Sequence, residues 1–230
     1  MKPQTIAIDG PAASGKSTIG YHLARYLGYL YLDTGALYRA VTWAVLQRGV
    51  PIEDEGAVTA LAEALHIDAV SPRPQEQDGR QYTILVEGED VTWALRSAAV
   101  DAAVSPVSTY PGVRAALTAQ MRAIARRGQV VMVGRDIGTV VLPDADLKLY
   151  VVASAEVRAA RRFQELVARG QSASYEAILQ NIRTRDAIDS SRQSAPLRPA
   201  PDAIILDTTD LPLEQMLRRV EQLVEAPHPA

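Results

Sequence analysis

Residues 10–17 read Gly-Pro-Ala-Ala-Ser-Gly-Lys-Ser, and this octapeptide constrains the fold more than any other part of the sequence. It matches G-x-x-x-x-G-K-[ST], a loop that wraps around the phosphates of a nucleotide. The apolar run at residues 5–9 is typical of a strand, and the pattern over residues 15–27 predicts a helix. In that context the backbone N–H groups and the helix N-terminus point at an anion. The sequence therefore predicts a nucleoside triphosphate site.

The residues expected to bind ATP are the loop and the residue that follows it. They are Gly10, Pro11, Ala12, Ala13, Ser14, Gly15, Lys16, Ser17 and Thr18. Lys16 is expected to reach the β- and γ-phosphates, and the Ser17 hydroxyl is expected to ligate Mg2+. A chance glycine-rich turn could match the same pattern, but the strand and helix on either side favour a phosphate loop. Kinases, motors, GTPases and ATP-binding sensors all remain open, because they share this loop.

Short apolar runs alternate with helical patterns along most of the chain, which predicts an α/β fold with a largely parallel sheet. Strands are expected at residues 5–9, 29–32, 130–134, 147–152 and 203–206. Helices are expected at residues 15–27, 36–48, 113–126, 155–167, 175–188 and 213–224. Residues 66–104 break this alternation with a proline-rich stretch, a turn at Asp78-Gly79 and a strand-like run at 82–86. They predict a small antiparallel insert.

Composition excludes several classes of function. A formal net charge of -3 over 230 residues argues against a general nucleic-acid coat protein, which needs excess Lys and Arg. The chain has no Cys, which excludes disulfides and thiolate zinc sites and fits a reducing compartment. The apolar run near the N-terminus is too short for a signal peptide or a membrane span. We therefore expect a cytoplasmic protein that binds neither nucleic acid nor membrane.

The residues after the predicted strand at 130–134 distinguish among the proteins that use this loop. A GTPase would show an Asn-Lys-x-Asp element, which the sequence lacks, and a motor would normally show an acidic pair at the strand end. This chain instead has Gly134-Arg135-Asp136, and an arginine there suits a phosphate. The three His residues lie outside every motif. Phosphoryl transfer to a monophosphate needs no strong base, since the acceptor oxygen is already anionic.

Four further segments carry a resemblance. Residues 33–39 (DTGALYR), 85–91 (LVEGEDV), 134–141 (GRDIGTVV), and Arg185-Asp186 through residues 195–197 (APL) together resemble the bacterial cytidylate kinase family. The similarity covers nearly the whole chain in the expected order. It implies an α/β P-loop kinase fold with a central five-stranded parallel sheet flanked by helices, an inserted monophosphate-binding domain and a short lid. It also implies transfer of the γ-phosphoryl group of ATP to CMP or dCMP, with Mg2+, by a monomer.

Mapped onto this chain, the resemblance implies a P-loop core at residues 1–39, 105–154 and 171–230. A CMP-binding domain would span residues 40–104, with the antiparallel insert at about 66–104, and a lid would span residues 155–170. The implied CMP-binding residues are Thr34, Tyr38, Arg39, Ser105, Arg114, Arg135, Asp136, Asp189 and Arg192. Position 34 is Thr where Ser is common in the family, which keeps the hydroxyl. The implied catalytic residues are Lys16, Arg135, Arg158, Arg161 and Arg162.

Within that set, the resemblance assigns Arg39 and Arg135 to the CMP phosphate. It assigns Ser105, Arg114 and Asp136 to the cytosine. Cytosine offers an N4 amino donor beside the N3 and O2 acceptors, so a carboxylate or hydroxyl facing N4 and an arginine facing N3 and O2 would be complementary. Uracil would leave a buried carboxylate facing a carbonyl group.

Two helices carry charged residues that can be interpreted in two ways. In the predicted helix at 175–188, the residues Ile178, Ile182, Arg185, Asp189 and Arg192 follow 4-3-4-3 spacing and would share one face. A cleft lining and an ordinary surface ion pair both remain open. In the predicted helix at 155–167, Arg158, Arg161 and Arg162 lie opposite an apolar stripe of Ala160, Phe163 and Val167. A lid helix and a helix with a solvated basic face would both show this arrangement of residues, so both alternatives remain open.

We therefore expect a (d)CMP kinase, and the alternatives left open are a sibling kinase for UMP, AMP or a non-nucleotide alcohol, and an ATP-binding sensor without turnover.

Overall fold

A five-stranded parallel sheet flanked by helices is the centre of the fold, as the sequence predicts. The computed structural model describes residues 2–191 and 196–226. The strands of this sheet are β1 (Thr5–Asp9), β2 (Leu30–Asp33), β6 (Val130–Val133), β7 (Leu147–Val152) and β8 (Ile204–Asp207). Their order in the sheet is β2-β6-β1-β7-β8. All five predicted strands begin and end within one residue of the observed bounds.

The described residues also form α-helices. They are α1 (Lys16–Leu27), α2 (Gly35–Gln47), α3 (Glu55–Ala64), α4 (Ala98–Val107), α5 (Pro111–Ala125), α6 (Ala155–Ala168), α7 (Tyr175–Ser191) and α8 (Leu213–Glu225). The sequence patterns did not predict α3 and α4. Both helices bury only a few small apolar side chains, which are Val58 and Ala62 in α3 and Val100, Ala103 and Val107 in α4. Their apolar periodicity is therefore weak.

The chain divides into two compact units, of which the first comprises residues 1–26 and 131–230. In this unit β1 pairs with β7 in parallel, with Asp9 opposite Tyr150, and β7 pairs with β8 in parallel. Strands β1 and β7 are largely buried, as expected inside a parallel sheet covered by helices, whereas the edge strand β8 exposes Ile204 and Ile205. Asp9 stands at the carboxyl end of β1, the end at which α/β sheets bind ligands.

The second unit comprises residues 27–130. It contains a three-stranded antiparallel sheet formed by β3 (Ile67–Val70), β4 (Thr83–Val86) and β5 (Glu89–Asp90). This sheet confirms the antiparallel pairing predicted for the insert. The antiparallel part ends at Asp90, however, and the residues that follow form a 3-10 turn (Ala94–Arg96) and then α4.

Within residues 2–191 and 196–226, no helix has the length and apolar character needed to cross a bilayer.

Candidate active site

The phosphate loop has the strand and the helix on either side that the sequence predicts. Ala13 and Gly15 adopt left-handed φ values of 57° and 96°, and such turns aim successive N–H groups into one concavity. Gly10 has a φ of 145°, and a Cβ atom there would lie 2.0 Å from the carbonyl oxygen of Val151. Glycine is therefore required at Gly10 both by its backbone conformation and by the close approach of β7.

The carbonyl groups of the loop are held by side chains, most of them cationic. Lys16 Nζ donates to Pro11 O over 2.6 Å, Arg135 Nη1 to Gly10 O over 2.7 Å, and Arg158 Nη1 to Ala12 O over 3.2 Å. Positive charge is thus concentrated at the loop even though the chain as a whole is acidic. Such charge stabilises an anionic ligand and the charge that develops during phosphoryl transfer.

Asp9, the last residue of β1, connects the loop to the end of β6. It is buried, with 4% of its surface exposed. Its carboxylate accepts hydrogen bonds from the backbone N–H groups of Ile137 at 2.8 Å and Gly138 at 2.7 Å, directly after Arg135 and Asp136. Burial raises the pKa of Asp9 to about 6, and the negative charge of Asp136 adds to the shift, although the two backbone hydrogen bonds oppose it. Sequence motifs did not single out this residue.

The stability of the protein should reflect this pKa. Asp9 has a pKa of about 6 in the folded protein against an ordinary value of 3.8, so the folded state binds this proton more tightly. Its contribution to stability is present below about pH 4 and is lost as pH rises to about 6. We therefore expect the free energy of unfolding of the wild type, relative to Asp9→Asn, to decrease between these pH values and to level off above pH 7. Urea unfolding followed by circular dichroism measures the difference, and a difference independent of pH would contradict the assignment.

Arg158, on α6, lies in the interior of its unit with 4% of its surface exposed. Its Nη1 and Nη2 atoms contact the two carboxylate oxygens of Asp186 on α7, at 3.0 and 2.5 Å. Its Nε atom donates to Ala153 O over 2.9 Å. A carboxylate and two carbonyl groups therefore compensate the burial of the guanidinium group. The alternative in which Arg158 belongs to a solvated basic face is therefore wrong, because its side chain is buried.

Arg161 reaches the phosphate loop through a threonine. Its Nη1 and Nη2 atoms donate to Thr208 Oγ1 at 3.0 Å and Thr208 O at 2.6 Å. Thr208 follows β8, is fully buried, and places its hydroxyl 3.1 Å from the carbonyl oxygen of Ser14. Burial lowers the pKa of Arg161. Arg162, in contrast, is exposed and pairs with Glu165 at 2.7 Å, which is the solvated alternative.

The apolar stripe predicted for α6 is only partly buried. Phe163 packs edge-to-face against Tyr175 of α7, with 6.5 Å between ring centroids. Val167 is 52% exposed, whereas Ala159 and Arg158 are buried. The sequence pattern predicted that only the apolar side chains of this helix would be buried. Hydrophobic periodicity does not reveal a buried arginine, because the carboxylate that neutralises its charge lies elsewhere in the sequence.

The α7 helix carries a second carboxylate, and this one is buried. Asp189 is 4% exposed, and its Oδ2 atom lies 3.1 Å from Arg135 Nε. Ile182 is buried with it, as the helical spacing predicts, although Arg185 on the predicted face is exposed. The structure therefore brings Asp189 and Arg135 together. Arg192 lies outside the described residues.

In the second unit, α2 and α5 bring an aromatic ring and an arginine together. The Arg114 guanidinium lies over the Tyr38 ring, 5.6 Å from its centroid, which is within the range of a cation–π interaction. Arg114 Nη1 is also 3.4 Å from the carbonyl oxygen of Ser108. Thr34 is buried at the start of α2, one turn before Tyr38. Three of the predicted CMP-binding residues thus lie at or beside the N-terminal end of α2.

Arg39 contacts α4 within the same unit. Its Nη1 atom lies 2.5 Å from Asp101 Oδ1 and 3.1 Å from the carbonyl oxygen of Leu95. Ser105 is exposed and stands one helical turn after Asp101. A monophosphate bound to Arg39 would compete with the Asp101 carboxylate for this guanidinium group.

The sequence predicts no site role for four residues that the structure places beside the predicted site residues, although one of them, Asp186, belongs to a segment that carries the family resemblance. They are Asp9, Asp101, Asp186 and Thr208. Position offers a signal for two of them, since Asp9 and Thr208 stand at or just after the carboxyl ends of parallel strands. Asp186 and Asp101 lie in helices, where nothing in the local sequence shows which arginine each would meet.

Comparison with known proteins gives one consistent result. The model of the family described as cytidylate kinase matches residues 6–226. A cytidylate kinase of Bacillus licheniformis is 45% identical over 225 residues, covering 97% of each chain. One of Herpetosiphon aurantiacus is 48% identical and covers 96% of this chain and 94% of its own. One of Chloroflexus aggregans is 52% identical over 89% of this chain and 86% of its own.

Proposed function

The chain belongs to the cytidylate kinase family, and from this premise we propose that it transfers the γ-phosphoryl group of ATP to CMP or dCMP. The products are ADP and CDP or dCDP. The observation that carries the proposal is identity of 45% or more to cytidylate kinases along almost the whole chain. The phosphate loop and its cations supply the chemistry that such a transfer needs.

The reaction forms a bond between a phosphate oxygen of CMP and the γ-phosphorus, and it breaks the bond from that phosphorus to the β–γ bridging oxygen. The acceptor oxygen is already anionic, so the protein has to align the groups and neutralise charge. Lys16 and Arg135 are suited to neutralise the phosphates. Both now donate to loop carbonyl groups, at 2.6 and 2.7 Å, and each has further donors for a nucleotide oxygen.

The donor chemistry of the loop fits Mg2+ delivered with ATP. Ser17, an exposed residue in the first turn of α1, offers a hard hydroxyl oxygen directly after Lys16. Among residues 2–191 and 196–226, no group of three or more His, Cys, Asp or Glu forms a cage for a metal ion. Magnesium sites in kinases commonly use few protein ligands together with substrate phosphates. When bound, Mg2+ would neutralise phosphate charge, and Ser17 would be its protein ligand.

For CMP, we propose contacts in each unit separately. In the second unit, Arg39 would bind the phosphate, and Arg114 and Ser105 would read the cytosine beside Thr34 and Tyr38.

In the first unit, Arg135 would bind the CMP phosphate, Asp136 would accept from the cytosine amino group, and Asp189 would hold the ribose. Asp136 is 8% exposed, and a buried carboxylate discriminates strongly between a donor and an acceptor on the base.

An ADP-release assay with CMP, dCMP, UMP, AMP and shikimate as acceptors tests the proposed function directly. We expect turnover with CMP and dCMP well above that with the other three. Preference for UMP, AMP or shikimate would identify a sibling kinase. Nucleotide binding without turnover of any acceptor would identify a sensor.

The α6 helix gives a further test, since we propose residues 155–170 as a lid. Arg158 is already buried in its unit, whereas Arg162 and Arg169 are exposed and pair with Glu165. We therefore expect a bisubstrate analogue of ATP and CMP to slow hydrogen exchange mainly over residues 162–170. The α8 helix serves as the control region. Exchange over residues 158–170 that the analogue leaves unchanged would contradict closure.

We also propose that the protein acts as a monomer in the cytoplasm, with small-molecule substrates and no nucleic-acid or membrane partner. Light scattering after size-exclusion chromatography tests the oligomeric state.

A further inference from the structure

The short segment after β6 carries two residues of the proposed site, and its position is fixed from one side. Gly134 N donates to Ile8 O over 3.0 Å, within the strand that leads to the phosphate loop. Arg135 Nη1 donates to Gly10 O over 2.7 Å. The chain then turns at Asp136, whose φ and ψ of -143° and 25° precede a single π-helical turn.

That turn is held by Asp9. Its Oδ1 atom accepts the N–H group of Ile137 at 2.8 Å, and its Oδ2 atom accepts that of Gly138 at 2.7 Å. Each carboxylate oxygen thus binds one of two successive amide groups. Only an ionised carboxylate offers two acceptors in this arrangement, because an amide side chain would present an NH2 group to one of the donors.

Packing leaves this turn little room to shift. A Cβ atom on Gly138 would lie 3.2 Å from Lys148 Cδ and 3.4 Å from Asp9 Oδ2. Asp9 itself is buried and directly precedes Gly10, the first residue of the phosphate loop. The two hydrogen bonds therefore connect the loop that is proposed to hold ATP with the segment that is proposed to hold CMP.

We propose that Asp9 is a positioning residue for phosphoryl transfer: through the amide groups of Ile137 and Gly138 it holds Arg135 and Asp136 in register with the phosphate loop. The inference rests on the proposed function. Asp9 acts through these two residues and does not itself contact the reacting atoms. A displacement of about 1 Å in an aligned group can cost on the order of 100-fold in rate, so a purely local change should be visible in kcat.

The test compares Asp9→Asn with Asp146→Asn. Asp146 is a matched control, because its Oδ2 atom also accepts two successive backbone N–H groups, those of Gln4 and Thr5, both at 2.8 Å. It does so at the opposite end of β1, away from the phosphate loop. We expect Asp9→Asn to lower kcat by about 100-fold with KM for ATP and Kd for ADP changed by less than about threefold. We expect Asp146→Asn to retain the wild-type kcat, whatever its effect on stability.

Amide hydrogen exchange supplies a second measurement that does not depend on turnover. In the wild type, the Ile137 and Gly138 amides should be protected, and in Asp9→Asn at least one of them should exchange faster while the loop amides of residues 12–17 do not. If Asp9→Asn fails to fold, the wild-type measurement decides: fast exchange of both amides would overturn the proposal. A folded Asp9→Asn with wild-type kcat would overturn it as well, and so would equal losses in the two variants. Absence of turnover in the wild type would overturn the proposed function instead.

Discussion

Replacing Lys16 with alanine is expected to lower kcat by about three orders of magnitude while leaving the fold intact. Only 8% of the surface of Lys16 is exposed. Its ammonium group donates a hydrogen bond to the carbonyl oxygen of Pro11 in the phosphate loop. Removal of a preorganised cation from a phosphoryl-transfer site commonly costs losses of this size. Steady-state kinetics with CMP as acceptor measures the change, and circular dichroism checks the fold.

Lys2→Ala is the matched control for this experiment. Lys2 is an exposed lysine of the same unit and pairs with Glu225 at 2.9 Å. We expect it to retain the wild-type kcat, because exposed ion pairs contribute little even to stability. Turnover of Lys16→Ala near that of the control would mean that this loop is not the catalytic ATP site.

Asp136→Ala is expected to lower kcat/KM for CMP by roughly 10- to 150-fold and to change it far less for UMP, which narrows the selectivity between the two. The reason is the loss of a charge-assisted hydrogen bond to the cytosine amino group, worth about 1.5 to 3 kcal/mol. UMP has a carbonyl group at that position and loses nothing equivalent. Competition assays with both acceptors measure the ratio.

The design has to separate base recognition from other effects of this carboxylate. Asp136 contributes to the raised pKa of Asp9, so the comparison belongs at pH 8, where Asp9 is ionised in both proteins. Asp144→Ala removes an exposed aspartate from the loop before β7 and serves as the control. Equal losses for CMP and UMP would place Asp136 at the phosphate or the metal ion, and selectivity would then be sought at Arg114 and Ser105.

Two arginines of the first unit support the phosphate loop. Arg135 and Arg158 donate to the carbonyl oxygens of Gly10 and Ala12, and α7 supplies a carboxylate to each of them. The carboxylates Asp186 and Asp189 lie three residues apart and therefore on one face of α7. Arg158 and Asp189 are buried, and buried charges are costly unless they are paired. Loss of either carboxylate should thus disturb the arginine that it holds.

The sequence alone determined the fold class and the chemistry of the loop. The G-x-x-x-x-G-K-[ST] spacing requires a strand before it and a helix after it, and β1 and α1 have those positions. The alternation of apolar runs and helical patterns located all five strands of the parallel sheet, because buried strands and amphipathic helices are local signals. The family motifs are also local signals, because each consists of residues close together in the sequence, and they were sufficient to identify the family.

Only the tertiary structure decided which charged groups meet. Arg158 and Arg162 are both arginines of α6, yet their surroundings differ. Arg158 is buried and contacts Asp186, 28 residues later, whereas Arg162 pairs with Glu165 in solvent. Asp9 has no partner within its own strand, and its two donors come from residues 128 and 129 positions away. Hydrophobic periodicity encodes which face of an element is covered, but the pairing of buried charges depends on atoms that only the folded chain brings within about 3 Å of one another.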